Sequence, residues 1–314
     1  MKRIFELTPT ESLSLSGRDL LNVIRQSEGR TVLSETVVLG SPLAEGVSNP
    51  EMAAACGADL ITLNRFSFTA PLIFGWDDRA YSPWDVSALA MHLAKAALAH
   101  RSSKTYLSDY RTLVGVPLGV NLEPVPQGTT YPKGFTLNAA NLEAVQRFGF
   151  DYLVLTANPM TGVRTEDLIE GVRMARSALG KDFLIMAGKM HGAGTGVDHS
   201  PAVAKELAAA GADVLLLPAP YTLGGYDELR VFEMIAAIHE TGCLAMTCIG
   251  TSQEGASPEV IQKIALFAKG AGADIQHIGD AGQSGMALPE NLLMLSETLR
   301  GRRHTLRKIG SRRR

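Results

Sequence analysis

The feature that most limits what this chain can fold into is a recurring mark, Gly-x-Asp, set just ahead of short apolar runs. It occurs at Gly57-Ala58-Asp59, Gly149-Phe150-Asp151, Gly180-Lys181-Asp182, Gly211-Ala212-Asp213 and Gly272-Ala273-Asp274, with Gly242-Cys243 as a variant. From Gly149 to Gly272 the steps are 31, 31, 31 and 30 residues. The 92 residues between Gly57 and Gly149 hold three more such intervals. A period of about 30 residues is one supersecondary unit repeated.

Each mark reads as the end of a helix. Glycine takes the left-handed position after the last turn, and the chain enters a strand at once. The runs at 60–63, 152–155, 183–186, 214–217, 244–247 and 275–278 are short and apolar on both faces. Parallel strands covered on both sides have that pattern. Two further strands are expected at 36–39 and 114–120. Helical patterns separate them, with Ser200-Pro201 and Ser257-Pro258 as N-cap and first-turn pairs. Eight strands alternating with helices predict an α/β fold, a closed (β/α)8 barrel. The 314 residues fit one such domain better than two. The expected organisation is an N-terminal helical extension over 1–33, the barrel over 34–299 and a basic C-terminal tail over 300–314. A helix from Ser16 to Ser27 is expected to plug the barrel floor.

The net charge of −2 argues against a general nucleic-acid binder. Eight of the 30 basic residues lie from Arg300 onward, where no acid occurs. A nucleic-acid arm would have that charge, but no aromatic residue interleaves with it. A solvated helix extension, or a contact between copies in a homo-oligomer, is the expectation preferred. Cys56, Cys243 and Cys248 show neither metal-ligand spacing nor a disulfide framework. No apolar run reaches membrane-spanning length, and polar residues follow the start. The chain is expected to be cytoplasmic.

The helix-to-strand turns are tight and several strand-to-helix connections are long, so the site is expected on the strand C-terminal face. Strand ends there supply Glu45, Asn64, Asn121, Glu123, Thr156, Asn158, Lys189, His191, Thr251, Ser252, Gln253, Glu254, His277 and Asp280. Lys189, in Ala187-Gly188-Lys189-Met190-His191, could hold an anion or, if desolvated, act as a base or a Schiff-base nucleophile. Glu123 and His191 are the acid–base candidates. Glu123, His277 and Asp280, with His191 as a further ligand, are also a candidate divalent-metal set, and ordinary hydrogen-bonded pocket residues are the alternative. Glycine-rich loops after the last two strands, with Gly250, Thr251, Ser252, Gly279 and Gly282, are a candidate phosphate cradle. Asn64, Asn121 and Asn158 would add amide contacts. Against the cradle stand Glu254 and Asp280, which would repel phosphate.

The segments 119–124, 156–163, 187–194, 249–255, 277–282, 289–291 and 300–305 together resemble a bacterial TIM-barrel family. Its members are labelled haloacid-dehalogenase-like hydrolase or PEP-phosphonomutase-like. The resemblance covers nearly the whole chain. It implies the barrel and kinship with ribulose-phosphate-binding barrels, and no known reaction. The hydrolase label conflicts with the residues, because the nearest acidic pair, Asp77-Asp78, lies in an aromatic loop and not after a first strand. The leading expectation is an enzyme acting on a small phosphorylated or carboxylated metabolite by proton abstraction, isomerisation or C–C cleavage. A non-catalytic phosphometabolite sensor and a metal-dependent hydrolase are the alternatives.

Overall fold

The computed structural model describes residues 2–82, 84–159, 161–191, 199–280 and 285–311. Eight strands run β1 (Thr31–Val37), β2 (Leu60–Asn64), β3 (Leu118–Leu122), β4 (Tyr152–Leu155), β5 (Leu184–Gly188), β6 (Val214–Pro218), β7 (Leu244–Ile249) and β8 (Ile275–Ile278). Each pairs in parallel with the next, and β8 closes the barrel on β1. The predicted (β/α)8 barrel is therefore the observed fold.

The repeated mark has a structural cause beyond the turn it makes. Its glycines sit at positive φ, from 77° at Gly149 to 112° at Gly211. The aspartates then clamp the neighbouring strand. Asp59 donates its N–H to the Val32 carbonyl (2.8 Å) and accepts the Val32 N–H on its carboxylate (3.0 Å). Asp151 does the same to Leu118, Asp213 to Ile185 and Asp274 to Ala245, all within 2.8–2.9 Å. These four aspartates start β2, β4, β6 and β8, and their partners start β1, β3, β5 and β7. The clamp joins the strands in pairs around the floor.

Each clamp carboxylate also meets a cationic side chain. Asp151 pairs with Arg111, Asp213 with Arg176 and Arg18, Asp274 with His239, and Asp59 with Arg300 and Lys308. The floor is sealed from below by Ile4, Phe5, Leu7, Leu20, Leu21, Val23 and Ile24, which pack against Leu33, Leu60, Leu184, Val214, Leu244 and Ile275 inside the barrel. The plugging helix is Gly17–Arg25, and Ser16 caps it by accepting the Asp19 N–H.

Three expectations need correction. The first strand spans Thr31–Val37 and not 36–39. Its centre, Ser34-Glu35-Thr36, is polar yet buried, so an apolar-run criterion passes over it. The third strand is Leu118–Leu122 and not 114–120, because a helix, Tyr106–Val114, continues until Gly115 ends it in the left-handed region. The basic tail is not a solvated extension throughout. The helix Pro289–Gly310 kinks at Gly301, which brings Arg300 and Lys308, both buried, onto Asp59. Among the described residues no helix is long and apolar enough to cross a membrane.

Candidate active site

Strand alternation decides which side chains reach the barrel axis. Leu33, Leu60, Tyr152, Val154, Met186, Leu216, Met246, Cys248 and Ile275 form the interior cluster. The next inward positions are Glu35, Thr62, Asn64, Asn121, Thr156 and His277. Backbone strain gathers at the same end. Of the five non-glycine residues at positive φ among the described residues, Arg65, Tyr221, Thr251 and Ser252 follow strands. Such residues persist where surrounding structure holds them, commonly at functional sites.

Glu123 is the centre of the mouth. It follows β3 and is anchored by the returning long loop: its N–H donates to Phe135 O (3.0 Å), and its carbonyl accepts from Leu137 N–H (2.8 Å). Its carboxyl is buried and accepts from the Asn158 N–H at 3.2 Å and from the Asn158 side-chain amide. Burial pushes its pKa up to about 8, and the nearby Glu35 charge adds to the rise against the lowering by Asn158. Tyr131, from the same loop, is raised to about 12 by burial and by the Glu123 charge.

A chain of amides and a carboxylate crosses the mouth beside it. Asn121 Nδ2 donates to Asn64 Oδ1 (3.1 Å), and Asn64 Nδ2 donates to Asp280 Oδ2 (2.7 Å). Below, Thr62 and Tyr152 share a hydrogen bond of 3.1 Å. Across β7, β8 and β1, Cys248 lies in register with His277, and His277 Nε2 meets Glu35 Oε2 at 3.0 Å. Glu35, Cys248 and His277 are at most 5% exposed.

The expected residues thus divide. Glu123, Asn64, Asn121, Asn158, His277 and Asp280 are placed at the mouth. Lys189 is buried, and burial lowers its ammonium below the usual range. It shares the outward parity of Ile185 and Ala187 and lines a narrow cavity with Val203, Ala204, Leu207, Leu215 and Leu217, between strands and helices. His191 is half-buried in the loop after β5. Among the described residues no three acidic, His or Cys side chains stand at metal-ligating spacing. Glu123, His277 and Asp280 are not assembled as a metal set, because each is held by a different partner: Asn158, Glu35 and Asn64.

The expected phosphate cradle also looks different in three dimensions. Gly250 lies at the mouth, and Thr251 and Ser252 are exposed and left-handed. The Gly279 N–H is already donated to Ile249 O (2.9 Å). The Glu254 carboxyl lies over Gly279, where an added Cβ would meet its Cδ at 3.5 Å. Gly282 lies outside the described residues. The aromatics of the loop after β2 are largely structural: Phe66 and Phe68 pack edge-on with Phe148 and Phe150. Sequence reading missed Glu35 and Cys248 as site residues. The one available signal was a carboxylate inside a β-prone run, Val32-Leu33-Ser34-Glu35-Thr36-Val37-Val38.

A closed parallel barrel with buried carboxyls, amides and a histidine at its strand ends defines a TIM-barrel protein with a polar mouth. The chain belongs to the family described as a domain of unknown function, DUF7916, which matches residues 5–314. No curated protein matches it. Among solved structures, the carboxyl transferase domain of Rhizobium etli pyruvate carboxylase with pyruvate is similar at 12% identity and TM-score 0.51, over 95% of this chain and 50% of that one. A 2,3-dimethylmalate lyase, a PEP mutase/isocitrate lyase superfamily member, is similar at 16% identity and TM-score 0.48, over 88% and 82%. Thiamine phosphate pyrophosphorylase from Pyrococcus furiosus is similar at 11% identity and TM-score 0.46, over 87% and 97%. At these identities the likeness is one of fold. None of the three supports the haloacid-dehalogenase label.

Proposed function

We propose that this chain is an enzyme of lyase or isomerase type that moves a proton at a carbon of a small polar metabolite, with Glu123 as the group that takes and returns it. The observation that carries the reading is the Glu123 carboxyl. It is buried at a strand end and pushed up to about 8, yet held in one orientation by Asn158. A carboxyl tuned toward neutrality can give and accept a proton in one cycle. Asn64, Asn121 and Asp280 supply donors and acceptors that orient hydroxyl and carbonyl groups.

Charge narrows the substrate. Glu35, Glu254 and Asp280 border the same mouth, so the part of the substrate beside Glu123 is neutral, a hydroxyl- or carbonyl-bearing carbon chain. A carboxylate or phosphate on the metabolite would lie away from that group. The test is hydrogen–deuterium exchange at carbon. A panel of hydroxy acids, oxo acids and α-hydroxyketones in D2O, followed by proton NMR, should show loss of one C–H signal. Glu123→Gln should slow that exchange by about 10²- to 10⁴-fold. Exchange that is unchanged in Glu123→Gln, or absent across the panel, would sink the reading.

A further inference from the structure

Among the described residues, two buried polar atoms on the β7–β8 side of the mouth meet no hydrogen-bond partner at good geometry: His277 Nδ1, whose ring also lies beside the Cys248 thiol, and Glu254 Oε2. They belong to one column. The His277 ring is fixed from its other nitrogen by Glu35, at 3.0 Å. Gly279 follows His277 by two positions, so its missing side chain would stand on the ring's own face of the sheet. The Glu254 carboxyl takes that space, with Cδ 3.5 Å from where a Cβ would be. Glu254 is held there by its main chain, because Asn291 Nδ2 donates to Glu254 O (2.9 Å) and Ala256 O (2.8 Å). The carboxyl is buried, and burial raises its pKa.

A ring nitrogen held from its far side and a buried carboxyl on an anchored turn, both without a matched partner among the described residues, are the two halves of an oxygen site. Buried polar groups in folded proteins are nearly all satisfied, and here two neighbouring side chains at the strand ends each leave one atom unmatched, which suits a shared ligand oxygen. A hydroxyl fits both atoms, since it accepts one hydrogen bond and donates another. A phosphate does not, since it would oppose the carboxylates.

We infer that His277 and Glu254 form an oxygen-binding subsite for a hydroxy- or oxo-compound, in which the substrate oxygen accepts a hydrogen bond from His277 Nδ1–H and exchanges its proton with Glu254. Glu35 is a positioning residue. Its carboxylate accepts from Nε2–H and so leaves the second ring proton on Nδ1. Burial disfavours the charged ring, but the Cys248 and Glu35 groups outweigh it and raise the His277 pKa to about 10. The chemical role rests on the proton transfer proposed for Glu123, although oxygen binding does not. In the cleavage direction the O–H proton passes to Glu254 and the C–O bond becomes a carbonyl. The adjacent C–C bond breaks, and its electron pair stays on a carbon made acidic by a neighbouring carbonyl. That carbon takes the proton carried by Glu123. The reverse order forms the bond, and no external oxidant or reductant is needed.

The test uses the full chain with ¹⁵N-labelled histidine and hydroxyacetone as the probe. Long-range ¹⁵N–¹H spectra at neutral pH should show His277 protonated on both nitrogens, and added hydroxyacetone should move its Nδ1 signal. Glu254→Gln, which keeps the side-chain shape, should weaken that binding by about tenfold. A neutral His277 ring, an Nδ1 signal unmoved by hydroxyacetone, glycolaldehyde and glycerol, or equal binding by Glu254→Gln would overturn the subsite. The two proposals separate cleanly. An Nδ1 shift with no C–H exchange in D2O removes the Glu123 reading and keeps the subsite. Exchange without the shift does the reverse.

Discussion

Glu35 on the first strand and His277 on the last are 242 residues apart in the chain and 3.0 Å apart in the barrel, with 7% and 3% of their side chains exposed. Ring closure between β8 and β1 makes the contact. The pair sits toward the strand ends, and the Glu123 and Glu254 carboxyls both feel the Glu35 charge.

That pair has a pH signature. The folded His277 pKa of about 10 exceeds the reference value of 6.5. A raised basic group stabilises the fold fully below the unfolded value and loses that contribution as pH rises through the folded one. Glu35→Gln removes part of the rise. Urea midpoints of wild type and Glu35→Gln should therefore differ most near pH 6.5 and converge toward pH 10. A difference that stays constant across this range would contradict the assignment.

Glu123 has the opposite chemistry and the same linkage sign. Its acid form is favoured in the fold, up to about 8 from 4.5. The stability it confers is full below 4.5 and lost as pH rises through about 8. Glu123→Gln should gain stability relative to wild type across that window, as seen in denaturant unfolding. For the proton-abstraction direction, kcat/KM of the wild type should rise with pH with a midpoint near 8. A rate profile with its only rise near 4.5 would exclude Glu123 as the base.

The floor clamp predicts a stability hierarchy. Asp59 and Arg300 are fully buried, with Arg300 Nη1 2.6 Å from Asp59 Oδ2 and Lys308 Nζ 3.5 Å from Oδ1. Asp59→Ala strands two cations and the Val32 N–H, so unfolding should become easier by about 3–5 kcal/mol. Glu170→Ala, which removes the exposed partner of Arg173, should cost less than about 1 kcal/mol. Chemical denaturation of both variants checks the order, and equal losses would refute it.

Gly119 tests the packing beneath the site. A Cβ there would lie 2.0 Å from Tyr152 Cε2, inside the barrel. Gly119→Ala should displace the Tyr152 ring and break its 3.1 Å bond to Thr62. The expected cost is about 1–3 kcal/mol, measured as a lower unfolding midpoint. Tyr152→Phe in the same background should recover none of it, because the clash is with the ring carbons and not the hydroxyl.

The fold was far more legible than the site. Gly-x-Asp is written into the chain because the barrel units reuse one local solution, a left-handed glycine to end the helix and, in alternate units, a carboxylate to take the preceding strand's N–H. Glu123, Asn64, Asn121, Asn158 and Asp280 were legible as strand-end polar residues. Lys189 comes from the same rule, yet it shares the parity of residues that face the helix layer, and one residue of strand parity separates that layer from the axis. Glu35 was illegible because its strand reads as polar, and His277 could be seen as a residue but not as a pair.

The amino-acid sequence by itself determined the repeat, the closed parallel barrel and the face that carries the polar residues, since these follow from periodicity and local turn chemistry. Only the tertiary structure decided which of those residues meet: Glu35 with His277, Glu254 over Gly279, Asp59 with Arg300. The reason is physical. Such contacts depend on strand parity, barrel closure and burial, which join residues hundreds of positions apart and leave no periodic trace in the chain.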